Sequence, residues 1–269
     1  MSNQMQERPP SAATPTTVDT ALTRSSPYGT LAEPTYSGVT SFLRRPYRKD
    51  LRDADVAVFG APFDLATTNR PGARLGPRAI RSASASLAWC PPYRWGFDPL
   101  ERLQVVDFGD LYFDPGRPAE IPERLYQQVR DILAHAVTPL ALGGDHFVSF
   151  PILRALSEQH GAIALIHFDA HSDTWRDDDG RVDHGTMFFH AARLGYVDPA
   201  VSVQLGMRTF NEETHGFLVW DADRLHRDGI DAALQAIHAR VGQRACYVSF
   251  DIDFLDPAFA PGTGTPVCG

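Results

Sequence analysis

Short apolar runs alternate with amphipathic segments along most of the chain. The apolar runs are rich in residues that favour buried strands, and they lie at 54–59, 103–107, 139–142, 162–166, 201–205, 217–220 and 245–250. Apolar residues three or four positions apart predict helices between them, one from near Pro77 and others over 122–136, 147–159 and 230–241. Strands that alternate with helices predict an α/β fold with a mostly parallel sheet covered on both faces.

Two stretches lack this pattern. Residues 1–35 are rich in Ser, Thr and Pro and predict a disordered tail, which leaves 36–269 as a single domain. The sixteen residues after Asp253 contain three prolines and three glycines and predict a loop. The arginine-rich loop at 70–81 is compatible with an anion site or with packing against a neighbouring loop or subunit.

Composition narrows the class of protein. A net charge of −8 over 269 residues argues against a nucleic-acid partner. No apolar run is long enough to cross a membrane, and the N-terminus lacks the apolar core of a signal peptide. Three widely spaced cysteines are typical of thiols in a reducing compartment. We therefore predict a cytoplasmic protein without a membrane or nucleic-acid partner.

Acidic residues and histidines follow three of the apolar runs directly. The run at 162–166 leads into His-Phe-Asp-Ala-His-Ser-Asp, the run at 139–142 into Gly-Gly-Asp-His, and the run at 245–250 into Asp-Ile-Asp. Open α/β sheets place ligands at the carboxyl ends of their strands. If the backbone stays extended there, alternate side chains point the same way. The six candidate ligands are His146, Asp169, His171, Asp173, Asp251 and Asp253.

Converging carboxylates and imidazoles require a cation between them, because they otherwise repel and desolvate each other. One metal with open positions needs about three protein ligands, so six ligands predict two metals that share bridging carboxylates. Oxygen-rich ligation without thiolate suits Mn²⁺, although Zn²⁺ usually binds more tightly, so geometry and availability decide which metal is loaded. A lone Asp-x-Asp is usually a turn or a helix cap. Three such patterns after apolar runs favour the metal site.

The motifs together resemble the ureohydrolase family, which includes the arginases and agmatinases. The segments that carry the resemblance are Gly-Gly-Asp-His at 143–146, Phe-Asp-Ala-His-Ser-Asp at 168–173, Asp-His-Gly-Thr-Met at 183–187 and the segment at 249–262. Residues 183–188, 261–266 and the loop at 70–81 look most like agmatinases. The resemblance extends from about residue 40 to the end and implies an arginase-like three-layer fold.

The resemblance implies a hydrolase with two Mn²⁺ per subunit that releases urea from a small guanidino substrate. One metal would be held by His146, Asp169, Asp173 and Asp251, and the other by His171, Asp169, Asp251 and Asp253, so that Asp169 and Asp251 bridge. Asp173 would also orient the attacking hydroxide, and His184 would be the shuttle histidine that protonates the leaving nitrogen. Asp183 and Met187 would contact the substrate.

The substrate is predicted to be agmatine, with guanidinobutyrate as the alternative. An Arg or Lys facing the substrate tail would favour the acid, whereas the acidic residues at 177–179 and 183 favour agmatine unless they form only a solvated turn. The family has a further central strand, with a Glu that contacts the guanidinium, between the strands ending at Gly143 and Phe250. The chain ends before it, so we expect a C-terminally truncated domain, and an inactive metal-binding or subunit-binding fragment is a second alternative. The family also implies a homo-oligomer, a trimer or hexamer.

Overall fold

The computed structural model describes residues 36–88 and 91–269, so the predicted tail at 1–35 lies outside the described residues. The strands are β1 (Val56–Ala61), β2 (Val105–Asp110), β3 (Thr138–Gly143), β4 (Ala164–Phe168), β5 (Val203–Met207), β6 (Leu218–Asp221) and β7 (Cys246–Phe250). The α-helices are α1 (Gly76–Ser84), α2 (Ile121–Leu133), α3 (Ser149–His160), α4 (Met187–Arg193) and α5 (Ala222–Val241). Across the described ranges, no helix combines the length and apolar character needed to span a bilayer.

The strands form two parallel sheets. The first has the order β2-β1-β3 and the second the order β6-β5-β4-β7. Helices α1 and α2 contact the first sheet, and α5 contacts the second. The predicted α/β class, with parallel strands flanked by helices, is confirmed.

β3 and β7 are edge strands of the two sheets, and the resemblance places a further strand between them. Within the described part of the chain, neither strand has a second partner on this side. Side chains connect the sheets instead: His146 Nε2 lies 2.6 Å from Ser249 Oγ, and Ser149 Oγ lies 3.2 Å from the Tyr247 hydroxyl. Both strands also carry exposed apolar side chains, Leu140 on β3 and Val248 and Phe250 on β7.

The predicted apolar stripe of α2 faces the core. Leu125 and Val129 are buried in a cluster with Phe59 of β1 and Ile152 of α3, and Leu133 packs against its edge. Full burial of a side chain of this size stabilises the fold by about 1.5–3 kcal/mol. The stripe therefore fixes α2 against the first sheet, and α3 packs against α2 on the way to β4.

Two helices differ from the sequence prediction. Helix α4 was not predicted, because it is only seven residues long and follows a polar loop directly. Helix α5 begins at Ala222 instead of residue 230, because Asp221 caps it by accepting the Arg224 N–H at 2.7 Å. Gly229, with a φ of 84°, interrupts α5 and conceals the first turns from a periodicity analysis.

Arg81 anchors α1 to β2 through a buried ion pair. Its guanidinium donates to both carboxylate oxygens of Asp107 at 2.8 and 3.0 Å and to Asp110 at 2.5 Å. Asp107 also accepts the Phe42 N–H at 2.7 Å. We call Arg81, Asp107 and Asp110 the Arg81 cluster. Because Arg74 likewise pairs with Asp64, the loop at 70–81 uses these arginines for packing within the chain, in line with the packing alternative.

Candidate metal centre

Tight turns at the ends of β3, β4 and β7 bring the candidate ligands together. After β3 the chain turns at Gly144, where a Cβ atom would lie 2.0 Å from the Phe63 carbonyl oxygen, so the position requires glycine. Asp145 caps the short helix that begins at His146, accepting the Phe147 N–H at 3.0 Å. His146 therefore leaves the first sheet directed towards the second sheet.

The expectation of an extended backbone after β4 is wrong. The strand ends at Phe168, and Asp169 Oδ1 accepts the His171 N–H at 2.6 Å, which closes a turn. Asp173 follows with a φ of 51°, in the left-handed region that non-glycine residues seldom adopt. Asp251 likewise caps a short helix by accepting the Asp253 N–H at 2.9 Å. Turns that use the carboxylates, and not period-two alternation, make the ligands converge.

The first ligand group surrounds His146. Its Nδ1 atom lies 3.0 Å from Asp169 Oδ2, 2.9 Å from Asp173 Oδ2 and 3.1 Å from Asp251 Oδ2. The other ring nitrogen contacts Ser249, so Nδ1 is directed at the three carboxylates. The structure thus brings together the four residues that were predicted to hold the first metal.

The second group surrounds His171. Its Nδ1 atom lies 3.0 Å from Asp253 Oδ2 and 3.4 Å from Asp169 Oδ1. Asp169 therefore presents one oxygen to each imidazole, as a bridging carboxylate would. The contacts of Asp251 lie with the first group, so its bridging role stays a prediction. We call the six residues of both groups the His–Asp cluster.

The pKa values of several residues in the His–Asp cluster are shifted from their ordinary values. Burial lowers the pKa of His171, but the Asp169 and Asp253 carboxylates outweigh it and raise that pKa to about 10. Burial raises the pKa of Asp253 to about 6, and burial together with the Asp169 charge raises the pKa of Asp173 well above its ordinary value. Raised pKa values of this kind are typical of a site where metal binding displaces protons.

The loop after β7 is held over the second sheet by Arg208. Its guanidinium donates to the carbonyl oxygens of Phe254 at 2.9 Å and Val267 at 3.1 Å, and also to that of Asp253. Gly206, with a φ of 89°, leaves room for this loop, because a Cβ atom there would lie 2.4 Å from the Phe254 ring. The loop consequently lies close enough for Thr265 to donate to Asp253 Oδ2 at 3.2 Å.

A cavity of about 270 Å³ opens above the His–Asp cluster. Five of the cluster's residues line it, all except His146. Its walls include Thr68, Trp175, Arg181, Asp183, His184 and Thr265. A volume of this size suits a small molecule, and the candidate ligands therefore lie where a substrate would meet them.

His184 is held in the cavity wall by Thr68. His184 Nε2 accepts the Thr68 N–H at 2.9 Å and lies 2.7 Å from the Thr68 hydroxyl. Since Nε2 is an acceptor, the hydrogen of neutral His184 is on Nδ1. Burial lowers the pKa of His184 below its ordinary value, which keeps it neutral near pH 7.

The two predicted substrate contacts have different outcomes. Asp183 lines the cavity and pairs with Arg181, whose guanidinium also reaches Asp177. Met187 is fully buried in a core cluster with Leu153 and Phe188 and does not line the cavity. The expectation of a Met187 contact is therefore corrected: the first turn of α4 directs this apolar side chain inwards, where its burial is favourable.

Several residues of the site were missed by the sequence analysis. Thr68 and Arg181 reach the cavity from loops that carry no metal motif, and Ser249 orients His146 from inside β7. His167 and Gln204 form buried hydrogen bonds behind Asp169. No local pattern marks Thr68, Ser249 or Gln204, because their partners lie far away in the sequence.

Comparisons with known proteins agree with this architecture. Residues 54–269 match the arginase family. An agmatinase from Chromobacterium violaceum is 50% identical over 253 residues, which are 93% of this chain and 79% of the relative. A crystal structure described as a hypothetical agmatinase from Burkholderia thailandensis has a TM-score of 0.89 at 50% identity, covering 93% of this chain and 80% of that one. The proclavaminate amidino hydrolase of Streptomyces clavuligerus has a TM-score of 0.82 at 40% identity, covering 88% and 81%.

The chain therefore belongs to the arginase family. At the next level, the prediction of an agmatinase-like ureohydrolase is confirmed.

Proposed function

We propose that this chain holds two Mn²⁺ ions in the His–Asp cluster and hydrolyses agmatine to putrescine and urea. The observation that carries the proposal is the pair of ligand groups around His146 and His171, joined by Asp169 at the floor of the cavity. The agmatinases among the relatives, such as that of C. violaceum, support the choice of substrate.

The donor set fits two divalent ions. His146 Nδ1 is buried and lies within 3.1 Å of three carboxylate oxygens, yet among the described residues it makes no well-aligned hydrogen bond. One imidazole nitrogen serves at most one hydrogen bond, so this convergence is better explained by a shared cation. Four Asp carboxylates and two divalent ions also balance in formal charge. Imidazole and carboxylate ligands without thiolate suit manganese.

The residues around the metals supply the remaining steps of the proposed reaction. Two bound divalent metals would supply a hydroxide nucleophile at neutral pH by lowering the pKa of water. Asp173 lines the cavity floor, where it would accept a hydrogen bond from the nucleophile and orient it towards the guanidinium carbon. His184 passes the proton on Nδ1 to the leaving nitrogen while Nε2 takes up a proton that solvent delivers through the Thr68 hydroxyl, so the ring stays neutral throughout. That hydroxyl lies 2.7 Å from Nε2 on an exposed residue.

The cavity rim favours a substrate with a cationic tail. The guanidinium of Arg181 in the cavity wall lies 3.4 Å from Asp177 and 3.2 Å from Asp183, so these three residues carry a net negative charge. Agmatine, whose tail ends in an amine, is complementary to that charge. Arg181 itself, with a side chain 72% exposed, supports guanidinobutyrate as the second candidate, since it could pair with a carboxylate tail.

A urea-release assay on the manganese-loaded chain tests the proposal, with agmatine and guanidinobutyrate compared at equal concentration. We expect kcat/KM for agmatine to be at least about tenfold higher, which corresponds to about 1.4 kcal/mol. Asp183→Asn should narrow this preference, whereas Arg176→Ala, which removes an arginine of the same loop outside the cavity wall, should leave it unchanged. A preference for guanidinobutyrate that depends on Arg181 would support the second candidate. Manganese binding without urea release from either compound would support the inactive fragment.

A further inference from the structure

His167 and Gln204 form a buried hydrogen-bonded pair behind the His–Asp cluster. His167 lies on β4 and Gln204 on the neighbouring β5, and neither side chain is exposed to solvent. Buried polar groups of this kind keep their hydrogen bonds, because leaving them unpaired costs considerable free energy. The pair is outside the ligand set proposed above, and the reaction steps do not use it.

The direction of the hydrogen bonds can be read from one carbonyl group. Gln204 Nε2 lies 2.6 Å from the Ser172 carbonyl oxygen, which can only accept, so this atom is the amide nitrogen. The same nitrogen lies 3.1 Å from His167 Nδ1, to which it presents its second hydrogen. His167 Nδ1 is therefore an acceptor, and the ring hydrogen is on Nε2. That atom donates to Asp169 Oδ2 at 2.8 Å.

The opposite orientation of the amide is excluded by its surroundings. Rotating the Gln204 amide would place its oxygen 2.6 Å from the Ser172 carbonyl oxygen and leave two acceptors in contact. In the observed orientation, Gln204 Oε1 is buried and has no hydrogen-bond partner in the described part of the chain. The Gln204 amide oxygen thus stays unpaired while the amide nitrogen donates to both Ser172 and His167. This arrangement indicates that the two donated hydrogen bonds have a specific role.

The alternative role for His167 is that of a metal ligand. Its ring lies close enough to His146, Asp169 and Asp173 to count as a further metal ligand. Both of its nitrogens are already used, however, Nδ1 by Gln204 and Nε2 by Asp169. To bind a metal, His167 would have to abandon one of these buried hydrogen bonds.

We propose that His167 and Gln204 are a positioning pair for Asp169, the carboxylate that spans both ligand groups. Gln204 fixes the tautomer of His167, and His167 holds Asp169 so that each of its oxygens faces one imidazole. The inference rests on the proposed function only in that Asp169 is taken as a bridging metal ligand. Because Asp169 belongs to both groups, loss of the pair weakens both metal sites together. Partners of metal ligands contribute about 10- to 100-fold to metal affinity in comparable sites.

Manganese titration of the metal-free chain by calorimetry, without substrate, tests this role. Gln204→Glu keeps the size of the side chain but replaces the amide donors with acceptors, so His167 must carry a hydrogen on Nδ1 and is no longer held as the neutral Nε2 tautomer. Gln204→Met removes the donors without adding charge, and serves if the charged variant fails to fold. We expect both variants to bind two manganese ions about 10- to 100-fold more weakly than the unmodified chain.

Ser202→Ala is the matched control. Ser202 is also fully buried, at the other end of the same two strands, where it accepts the Leu165 N–H at 2.8 Å and donates to the Asp198 carbonyl at 2.6 Å. It should lower the thermal stability of the chain without changing manganese affinity. If the Gln204 variants behave like Ser202→Ala, the pair is only structural and the inference fails.

His167→Phe separates the positioning role from a ligand role. Under the proposal this variant still binds two manganese ions, both more weakly. A fall in stoichiometry from two to one, with the second affinity unchanged, would identify His167 as a ligand and overturn the inference. If the unmodified chain binds no manganese at all, it is the proposed function that fails, so the two results are distinguishable.

Discussion

Two regions of this protein bury carboxylates, and they do so in opposite ways. In the Arg81 cluster, Asp107 is fully buried and Arg81 provides the compensating cation from within the chain. In the His–Asp cluster, four carboxylates converge on two imidazoles, and no Lys or Arg lies in ion-pair distance of Asp169, Asp173, Asp251 or Asp253 within the described residues.

The difference separates a structural ion pair from a binding site. A buried carboxylate is costly unless a cation compensates it. The Arg81 cluster contains its own cation and is complete when the chain folds. The His–Asp cluster must take up protons or metal ions from solution, and the raised pKa values of His171 and Asp253 are the signature of that need.

The largest expected effect is that of Asp251→Ala. We expect this variant to lose the manganese pair and to release urea at least about a thousandfold more slowly, because metals supply several kcal/mol of transition-state stabilisation and each 1.36 kcal/mol is a factor of ten. The metal-free chain should change little in stability, since removal of a mutually repelling carboxylate offsets the loss of the cap to the Asp253 N–H. Metal analysis, initial rates and urea unfolding curves measure the three quantities. Retention of two manganese ions would contradict the assignment of Asp251.

Arg81→Met should produce the reverse result. It leaves buried Asp107 without its cation, and breaking a pair of this kind costs about 3–5 kcal/mol of unfolding free energy. Folded molecules should still bind two manganese ions. Arg78→Met, an exposed position on the same helix, is the control and should change stability by less than about 0.5 kcal/mol. A loss below about 1 kcal/mol for Arg81→Met would mean that the ion pair contributes little.

The His–Asp cluster should also make the stability of the chain and its manganese binding depend on pH. The pKa of His171 in the folded, metal-free chain is about 10, above the ordinary value of 6.5. Its contribution to stability is therefore present below about pH 6.5 and is lost as the pH rises through about 10. At pH 8 manganese must displace this proton, so calorimetry in buffers of different ionisation enthalpy should show proton release on binding. Binding without proton uptake by the buffer would contradict the raised pKa.

The smallest expected effect is that of Thr68→Val. This variant keeps the backbone N–H to His184 but loses the hydroxyl, and a net hydrogen bond of about 0.5–1.5 kcal/mol corresponds to a two- to tenfold lower kcat. Manganese affinity and KM should stay unchanged, and Thr68→Ser should restore the rate. If Thr68→Ser loses as much activity as Thr68→Val, the hydroxyl is not what matters.

His184→Ala should lower kcat more than Thr68→Val does, by about 100-fold or more, with both metals retained.

The sequence was sufficient to predict the strands and the convergence of the candidate ligands. Each apolar run became a strand within a few residues, because a buried parallel strand needs little more than such a run and a turn after it. The convergence could be predicted because parallel strands end at one edge, which places His146 beside Asp169 although β3 and β4 belong to different sheets.

The supporting contacts could not be predicted in this way. Gln204 follows Ser172 by 32 residues, and its donors make sense only once β4 and β5 are known to pair. The left-handed backbone of Asp173 was also missed, because an aspartate gives no local signal for a positive φ comparable to that of a glycine. Met187 was misassigned for the opposite reason, since a motif neighbour was taken as a substrate contact while its apolar side chain packs into the core.

Arg208 has a consequence for how quickly metal exchanges. The loop after β7 buries few apolar side chains, with Phe259 85% exposed, and hydrogen bonds from Arg208 to its carbonyl oxygens are a main attachment. Segments held in this manner open locally at a free energy well below that of global unfolding. Because this loop carries Asp253, its opening would withdraw a candidate ligand while all strands remain paired. Exchange of a metal held by Asp253 should therefore follow loop opening, on the order of microseconds to seconds.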